Sequence, residues 1–168
     1  KGTSSKNTIT FKGSRKAIIE YHGTSTSDRY CVLLKGAQYI VIDGLTLQGK
    51  GAYASGVLFT ENASHNVVKN TMIDLADYSK ITTNVAICFS SARDRYWYGR
   101  TGSYNIIDSN VISGGSSGLL LYGWNQYGAR GNRITHNQFN HITSAALLCS
   151  YDDSTYIGHN IFNDSLKQ

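Results

Sequence analysis

The side chains of this chain that are best suited to chemistry are arginines interleaved with aromatic residues in two stretches. The first stretch runs from Ser90 to Tyr104 and the second from Tyr122 to Gly131. A planar guanidinium group donates paired hydrogen bonds to a carboxylate or a sulfate, and flat aromatic rings offer an apolar face to sugar rings. The residues concerned are Arg93, Arg95, Arg100, Arg130, Tyr96, Trp97, Tyr98, Tyr122, Trp124 and Tyr127. This combination predicts contact with an acidic polysaccharide.

Two other interpretations of these stretches are possible, and only the first of them stays open. The first stretch can fold back as a lid, with its aromatic rings buried and arginine stacked on tyrosine, or it can form an interface. Arginine with aromatic residues also suits single-stranded nucleic acid. However, the net charge of +5 comes from 16 basic and 11 acidic residues that are mixed along the chain. We therefore expect no nucleic-acid partner.

A nine-residue pattern that recurs five times predicts the elements that must position these side chains. Its third column holds Ile42, Val68, Ile107, Ile134 and Ile157. Its eighth column holds Leu47, Ile73, Ile112, Phe139 and Phe162. Two short strands joined by a tight polar bend, repeated every 23 to 39 residues, indicate a parallel β-solenoid.

Asparagine recurs in the bends of this pattern. One column contains Asn110, Asn137 and Asn160, and a second contains Asn66, Asn105 and Asn132. Asparagine tolerates a left-handed backbone, and stacked amides can form hydrogen bonds from one coil to the next. We therefore expect both columns to be structural, with the asparagines themselves in the left-handed conformation.

A third type of strand lies between the copies of the nine-residue pattern, so that each coil has three strands. Gly or Ala precedes it at Gly56, Ala86, Gly118 and Ala146. Because strand side chains alternate between faces, the predicted interior residues are Val57, Phe59, Ile87, Phe89, Leu119, Leu121, Leu147 and Cys149. The outward column is then an apolar stripe of Leu33, Leu58, Cys88, Leu120 and Leu148. Such a stripe needs a cover, which is the first stretch, another part of a longer chain or a second subunit.

The strand and bend patterns together resemble the right-handed parallel β-helix proteins of the pectate-lyase-like superfamily. The resemblance rests on a Gly-hydrophobic-x-hydrophobic strand followed by Asn-x-Ile-x-x-Asn-x-Ile/Phe, clearest at Gly118–Leu121, Asn105–Ser113 and Asn132–Asn140. It covers about residues 8–163 and implies an all-β, right-handed parallel β-helix of about five to six three-strand coils, as a single domain over residues 1–168. It names no single activity, because the superfamily includes lyases, hydrolases, epimerases, phage tailspikes and adhesins.

The lyases of that superfamily use Lys or Arg to remove a proton beside a uronate carboxylate, which Ca²⁺ or cationic side chains neutralise. By this resemblance Arg95, Arg100 and Arg130 are the candidate base and neutralising groups, and Tyr98 or Tyr122 is the candidate proton donor. Arginine is a demanding base because its pKa is so high. The remaining aromatic and basic residues, Arg93, Tyr96, Trp97, Trp124 and Tyr127, are candidates for substrate binding. Candidate Ca²⁺ ligands are Glu61, Asp94, Asp152 and Asp153 along one edge, with Asp74 and Asp77 along another.

The three cysteines fall in different columns of the predicted coils. Cys88 lies two coils from both Cys31 and Cys149, a separation of about 9.6 Å at the spacing of β-strands. This exceeds the roughly 7 Å between Cα atoms that a disulfide tolerates. We therefore predict three free thiols.

The segments before the first strand and after the last strand are short. Only Lys1–Asn7 precedes the first strand and only Asp164–Gln168 follows the last, which is too little to cap a terminal coil. We expect a segment of a longer chain, or terminal coils that meet further β-helix coils or a neighbouring subunit. No apolar run approaches the roughly 18 residues of a membrane span.

These observations predict an extracellular or cell-surface protein that acts on an acidic polysaccharide in a lyase-like manner. The alternative is a non-catalytic β-helix used for glycan binding, adhesion or assembly. The residues require no cofactor, and Ca²⁺ is the candidate that the resemblance implies.

Overall fold

The computed structural model describes residues 2–75, 83–124 and 128–163, and these described residues form strands and turns without a helix. Consequently, no helix in the described part of the chain is long and apolar enough to cross a membrane. In chain order the strands are β1 (Ile9–Lys12), β2 (Ile18–His22), β3 (Tyr30–Lys35), β4 (Ile40–Asp43), β5 (Thr46–Lys50), β6 (Ser55–Thr60), β7 (Val67–Lys69), β8 (Met72–Leu75), β9 (Val85–Phe89), β10 (Ile106–Asp108), β11 (Val111–Gly114), β12 (Ser117–Tyr122), β13 (Ala129–Arg130), β14 (Arg133–Thr135), β15 (Gln138–Asn140), β16 (Ala145–Ser150), β17 (Asp152–Asp153), β18 (Tyr156–Gly158) and β19 (Ile161–Asn163).

Three parallel sheets run along the molecule, and each strand pairs with its equivalent in the next coil. The first sheet has the order β1-β4-β7-β10-β14-β18, the second β2-β5-β8-β11-β15-β19 and the third β3-β6-β9-β12-β16. A short additional sheet pairs β13 with β17. The chain is therefore an all-β parallel β-solenoid of about 5 turns, as the three-strand repeat predicts.

The predicted isoleucine column is in register along the first sheet. Ile42 lies beside Val68, and the column continues through Ile107 and Ile134 to Ile157. The first four side chains are buried, whereas Ile157 is 44% exposed. From the repeat we expect the whole column to be one buried stack, and this expectation is wrong at Ile157, because this residue lies in the last described coil and has a described neighbouring coil on one side only.

The third sheet confirms the predicted alternation of its side chains. The inward residues of β6, β9 and β12 are fully buried, and the rings of Phe59 and Phe89 stack with their centroids 4.2 Å apart. Leu147 and Cys149 pack against the same core and are partly buried. The small residues that precede these side chains are required by close packing. A Cβ atom on Gly118 would lie 2.5 Å from the carbonyl oxygen of Ala146 and 2.6 Å from Cδ1 of Phe139.

The three cysteines are free, as predicted. Burial raises the pKa of Cys31 to about 12. Burial, together with the nearby Asp152, raises the pKa of Cys149 to about 11. Burial also raises the pKa of Cys88 well above its ordinary value. Because the thiolate is the reactive form, all three thiols are poor nucleophiles in the native protein at neutral pH.

Two asparagine ladders hold the bends, and Asn137 shows the geometry. Its Nδ2 atom donates to the carbonyl oxygen of Ile107 at 2.9 Å and to Oδ1 of Asn160 at 3.0 Å. Its Oδ1 atom accepts from the backbone and side-chain nitrogens of Asn110 at 3.1 and 2.9 Å. A second ladder joins Asn66, Asn105 and Asn132 in the same way. The predicted coil-to-coil hydrogen bonds are confirmed.

The left-handed backbone conformation, however, belongs to the residue before each ladder asparagine. Ser109, His136 and His159 have φ values of 57°, 54° and 57°, and they precede Asn110, Asn137 and Asn160. The expectation that the asparagines adopt this conformation is wrong. The asparagine side chains turn into the bend to reach the next coil. The preceding residue therefore makes the bend in the backbone, and its own side chain points outward.

The ladder predicts a specific loss of stability. An Asn137→Ala variant leaves the amide groups of Asn110 and the Ile107 carbonyl oxygen without their partner in a buried bend. We expect the free energy of unfolding, measured by urea denaturation, to fall by about 1–3 kcal/mol. The matched control is Asn140→Ala on β15, which is half-buried and which we expect to change stability by less than about 0.5 kcal/mol. Equal effects of the two variants would contradict the role assigned to the ladder.

Candidate functional site

The stretch from Ser90 to Tyr104 leaves the end of β9 as a loop that closes on itself. The hydroxyl of Ser90 donates to the carbonyl oxygen of Arg95 at 3.0 Å and accepts from the N–H of Trp97 at 2.9 Å. The hydroxyl of Ser91 donates to the carbonyl oxygen of Tyr98 at 2.7 Å. Two serine hydroxyls therefore set the turn that carries the aromatic residues.

Tyr96 on this loop covers the apolar stripe of the third sheet. It packs with Tyr122 against a buried cluster that contains Leu58, Cys88 and Leu120. Burial raises the pKa of Tyr96 far above its ordinary value, and its hydroxyl donates to the carbonyl oxygen of Thr83. The lid interpretation is therefore correct for this one side chain, and the cover of the central stripe comes from the chain itself.

Arg29 lies beneath the lid and is 1% exposed. Its guanidinium carbon is 4.6 Å from the ring centroid of Tyr96, and Nη1 donates to the Thr83 carbonyl oxygen at 3.2 Å. The Tyr30 hydroxyl donates to the Arg93 carbonyl oxygen at 2.8 Å, which ties the loop to the same region. Sequence analysis overlooked Arg29, because an isolated arginine between polar residues carries no pattern that marks it as buried.

Two other aromatic residues of the loop, Trp97 and Tyr98, face outward and form one wall of a cleft. Trp97, Tyr98, Trp124 and Tyr151 line this cleft, which has a volume of about 460 Å³. All four rings are exposed, by 55%, 40%, 43% and 57% respectively. The ring of Tyr98 meets Tyr122 and Tyr151 edge-on at centroid distances of 4.9 and 5.4 Å. We call this site the aromatic cleft.

Three successive coils contribute to the aromatic cleft, and Tyr151 is the contribution that sequence analysis missed. Tyr122 pairs with Ser150 in the third sheet, so Tyr151 occupies the position after the strand that Gly123 occupies one coil earlier. The repeat register predicts this position, but the turn after β16 is too short to stand out from the repeat as an insert. Tyr127, a predicted substrate-binding residue, lies outside the described residues.

The structure distributes the predicted arginines unevenly. Arg95 is exposed beside the cleft, with its guanidinium carbon 5.1 Å from the ring of Trp97. Arg93 points elsewhere, because its Nη2 donates to the Ser27 carbonyl oxygen at 3.1 Å. Arg100 and Arg130 are exposed but do not belong to the described lining of the cleft. The structure thus brings Arg95 together with Trp97, and it does not gather all four arginines in one cleft.

Of the two candidate proton donors, Tyr98 lines the cleft, whereas Tyr122 packs against the buried cluster behind it. Burial raises the pKa of Tyr122, so this phenol keeps its proton at neutral pH. Its neighbour Tyr98 is more exposed and contacts it ring edge to ring face. Tyr98 can therefore donate a hydrogen bond to a ligand that enters the cleft.

The candidate Ca²⁺ ligands do not form a group. Glu61 pairs with Lys35 at 3.2 Å, and Gln48 donates to Asp74 at 3.2 Å. Within residues 2–75, 83–124 and 128–163, no three or more His, Cys, Asp or Glu side chains are arranged to hold a metal ion. Asp94, Asp152 and Asp153 are thus not assembled with Glu61 into one site. Asp77 lies outside the described residues.

Comparison with models of protein families, with curated proteins and with solved structures found no match for the chain.

The lid assigned to Tyr96 predicts the reactivity of Cys88. The Cys88 side chain is fully buried beneath the lid, so we expect a thiol reagent to modify it slowly in the native protein. A Tyr96→Ala variant opens the cover, and we expect faster modification at Cys88, located by mass spectrometry of labelled peptides. Tyr98→Ala is the control, because it removes a loop ring that does not cover Cys88. Unchanged protection of Cys88 in Tyr96→Ala would show that Tyr96 is not the cover.

Proposed function

We propose that this protein binds an acidic polysaccharide in the aromatic cleft. The single observation that carries this proposal is the set of four exposed rings, from three successive coils, around an open cleft with Arg95 at its edge. Exposed aromatic clusters are unfavourable in water and generally mark a binding surface. Tyr and Trp provide both an apolar face and a polar group, as the C–H faces and hydroxyl groups of a sugar require.

The acidic character of the ligand is inferred from charge. Arg95 lies beside Trp97, and it forms no ion pair with a carboxylate of the described residues, so its guanidinium group can form a bidentate contact with a carboxylate or a sulfate of a ligand. The chain carries a net charge of +5, which favours the approach of a polyanion. A linear polymer that lies across successive coils can meet Trp97, Trp124 and Tyr151, since these residues follow third-sheet strands of three successive coils.

The fold class gives general support to the same proposal. A parallel β-solenoid whose sequence pattern resembles the pectate-lyase-like superfamily suits a protein that works on polysaccharides outside the cell or at its surface. This support is an analogy between folds, so the aromatic cleft carries the weight of the proposal.

Removal of the cleft rings tests glycan binding. We expect Trp97→Ala and Trp124→Ala each to weaken binding about tenfold, measured by calorimetry over pectate, alginate, hyaluronate and chondroitin sulfate. Arg95→Gln should weaken binding of the polyanion but not of its carboxyl-reduced form. Tyr156→Ala, which removes an exposed ring that is not part of the described cleft lining, is the control. Equal affinity of the wild type and both tryptophan variants for every polymer would refute the proposal.

A lyase is the second candidate, and the phenol of Tyr98 on the cleft wall, in ring contact with Tyr122, is the observation that favours it. In that reaction a base removes the proton next to the uronate carboxylate. The C–O bond to the leaving sugar then breaks, and the phenol gives its proton to the leaving oxygen. The nearest candidate base is Arg95, which acts only in its neutral form and is therefore a weak choice.

Ultraviolet absorbance of the unsaturated uronate product distinguishes the two candidates. A lyase would release this product from one polymer of the panel, with or without added Ca²⁺, and Tyr98→Phe would abolish the release while binding persists. Binding without product under both conditions would identify a non-catalytic glycan-binding protein.

A further inference from the structure

A second concave surface lies along the first sheet, away from the rings of the aromatic cleft. It has a volume of about 190 Å³ and is lined by Ser5, Thr8, Tyr39, His65, Val67, Tyr104 and Ile106. The outward side chains of β7 and β10 form its apolar floor, since Val67 and Ile106 are adjacent in register. We call this surface the side groove.

One wall of the side groove is a ladder of three stacked rings. The centroids of Tyr39 and His65 are 5.0 Å apart, those of His65 and Tyr104 are 5.1 Å apart, and the ring planes differ by only 11° and 10°. The three residues occupy equivalent places in successive coils, each directly before the first-sheet strand or its ladder asparagine. The ladder therefore presents a row of polar ring edges along the groove.

All three ring residues adopt the left-handed backbone conformation, with φ values of 57°, 59° and 57°. This conformation disfavours bulky side chains and suits Gly or Asn. The next coil follows that preference, since Gly131 occupies the same position with φ of 62°. Histidine also occurs readily in this conformation, and His136 and His159 adopt it in the other bend, so it is the two bulky tyrosines, Tyr39 and Tyr104, that call for a reason beyond the turn.

The groove offers what a single sugar ring requires. Val67 and Ile106 provide an apolar floor for its C–H face, and Ser5 and Thr8 add hydroxyl groups to the lining. Among the described residues, the hydroxyls of Tyr39 and Tyr104 form no hydrogen bond to the protein and remain available to a ligand. No Asp, Glu, Lys or Arg belongs to the described lining, so the groove suits the uncharged face of a sugar.

The side groove is also joined to the loop that carries the aromatic cleft. Tyr104 is the last residue of the stretch that begins at Ser90, and its N–H donates to the Arg130 carbonyl oxygen at 2.9 Å. One loop therefore contributes Trp97 and Tyr98 to the cleft and Tyr104 to the groove.

We propose that the side groove is a second glycan-binding site, which holds a sugar unit of the same polysaccharide that the aromatic cleft binds. This inference rests on the proposed function. Two linked contacts on one polymer raise its apparent affinity above that of either contact alone. The side groove would thus make the protein prefer long chains to short oligosaccharides.

Two signals from one titration separate the two sites. Both tryptophans lie outside the side groove, so tryptophan fluorescence reports on the cleft, while the imidazole ring protons of His65, followed by NMR, report on the groove. The ligands are disaccharides and longer oligosaccharides cut from pectate, alginate, hyaluronate and chondroitin sulfate. We expect an oligosaccharide that changes the fluorescence to shift the His65 signals as well.

A triple variant tests the groove without disturbing the backbone. Tyr39→Asn, His65→Asn and Tyr104→Asn together remove the rings and install a residue that tolerates the left-handed conformation. We expect this variant to bind the long polymer about tenfold more weakly, with unchanged fluorescence titrations by disaccharides. The control is His136→Asn with His159→Asn, which removes another stacked pair of rings, 5.1 Å apart, from left-handed positions in the other bend.

The outcomes are distinct. Fluorescence changes without shifts of the His65 signals would refute glycan binding in the side groove and leave the proposed function standing. Equal polymer affinity of the triple variant and the control would have the same meaning. The absence of both signals for every oligosaccharide would overturn both proposals.

Discussion

The buried asparagine amides in the bends are the interactions on which the rest of this structure depends. In each coil of a solenoid the chain bends between one strand and the next. The backbone amides in these bends have no partner in the sheets on either side. Asn66, Asn105 and Asn132 in one bend and Asn110, Asn137 and Asn160 in the other accept from those amides and donate to carbonyl oxygens of the neighbouring coil. An unpaired buried group costs about 1–3 kcal/mol, so the ladders favour one alignment of successive coils, and the hydrophobic columns follow from it.

This arrangement explains how the chain tolerates a loop as long as the one from Ser90 to Tyr104. The strand before it ends in register at Phe89, and Asn105 re-enters the ladder immediately after it. Between those two fixed points the loop is free to take its own shape, which Ser90 and Ser91 close and Arg29 and Tyr96 hold down. The exposed aromatic residues of the loop therefore lie where the ladder imposes no residue type, while the position of the loop on the solenoid remains fixed.

The periodic part of the structure could be predicted from sequence, and the side-chain details could not. The column from Ile42 to Ile134, the interior residues of the third strand and the free cysteines follow from spacing alone, because each column must satisfy the same packing in every coil. Spacing did not distinguish Tyr96, which turns inward, from Trp97, which turns outward, because both lie in a loop without a repeat. It also overlooked Tyr151, whose role depends on a neighbour two coils away, and it assigned the left-handed conformation to the asparagines rather than to the residues before them.

The left-handed position before each ladder asparagine has an evolutionary consequence. Its occupants along one bend are Tyr39, His65, Tyr104, Gly131 and Ser154, and the side chains of all but Gly131 lie at least partly on the surface. A mutation there alters the outer surface at a defined height on the solenoid and leaves the interior packing intact. Duplication of a single coil would add one further position, displaced by about 4.8 Å. Such a scaffold can extend or change its surface one coil at a time, while the packing of its interior stays the same.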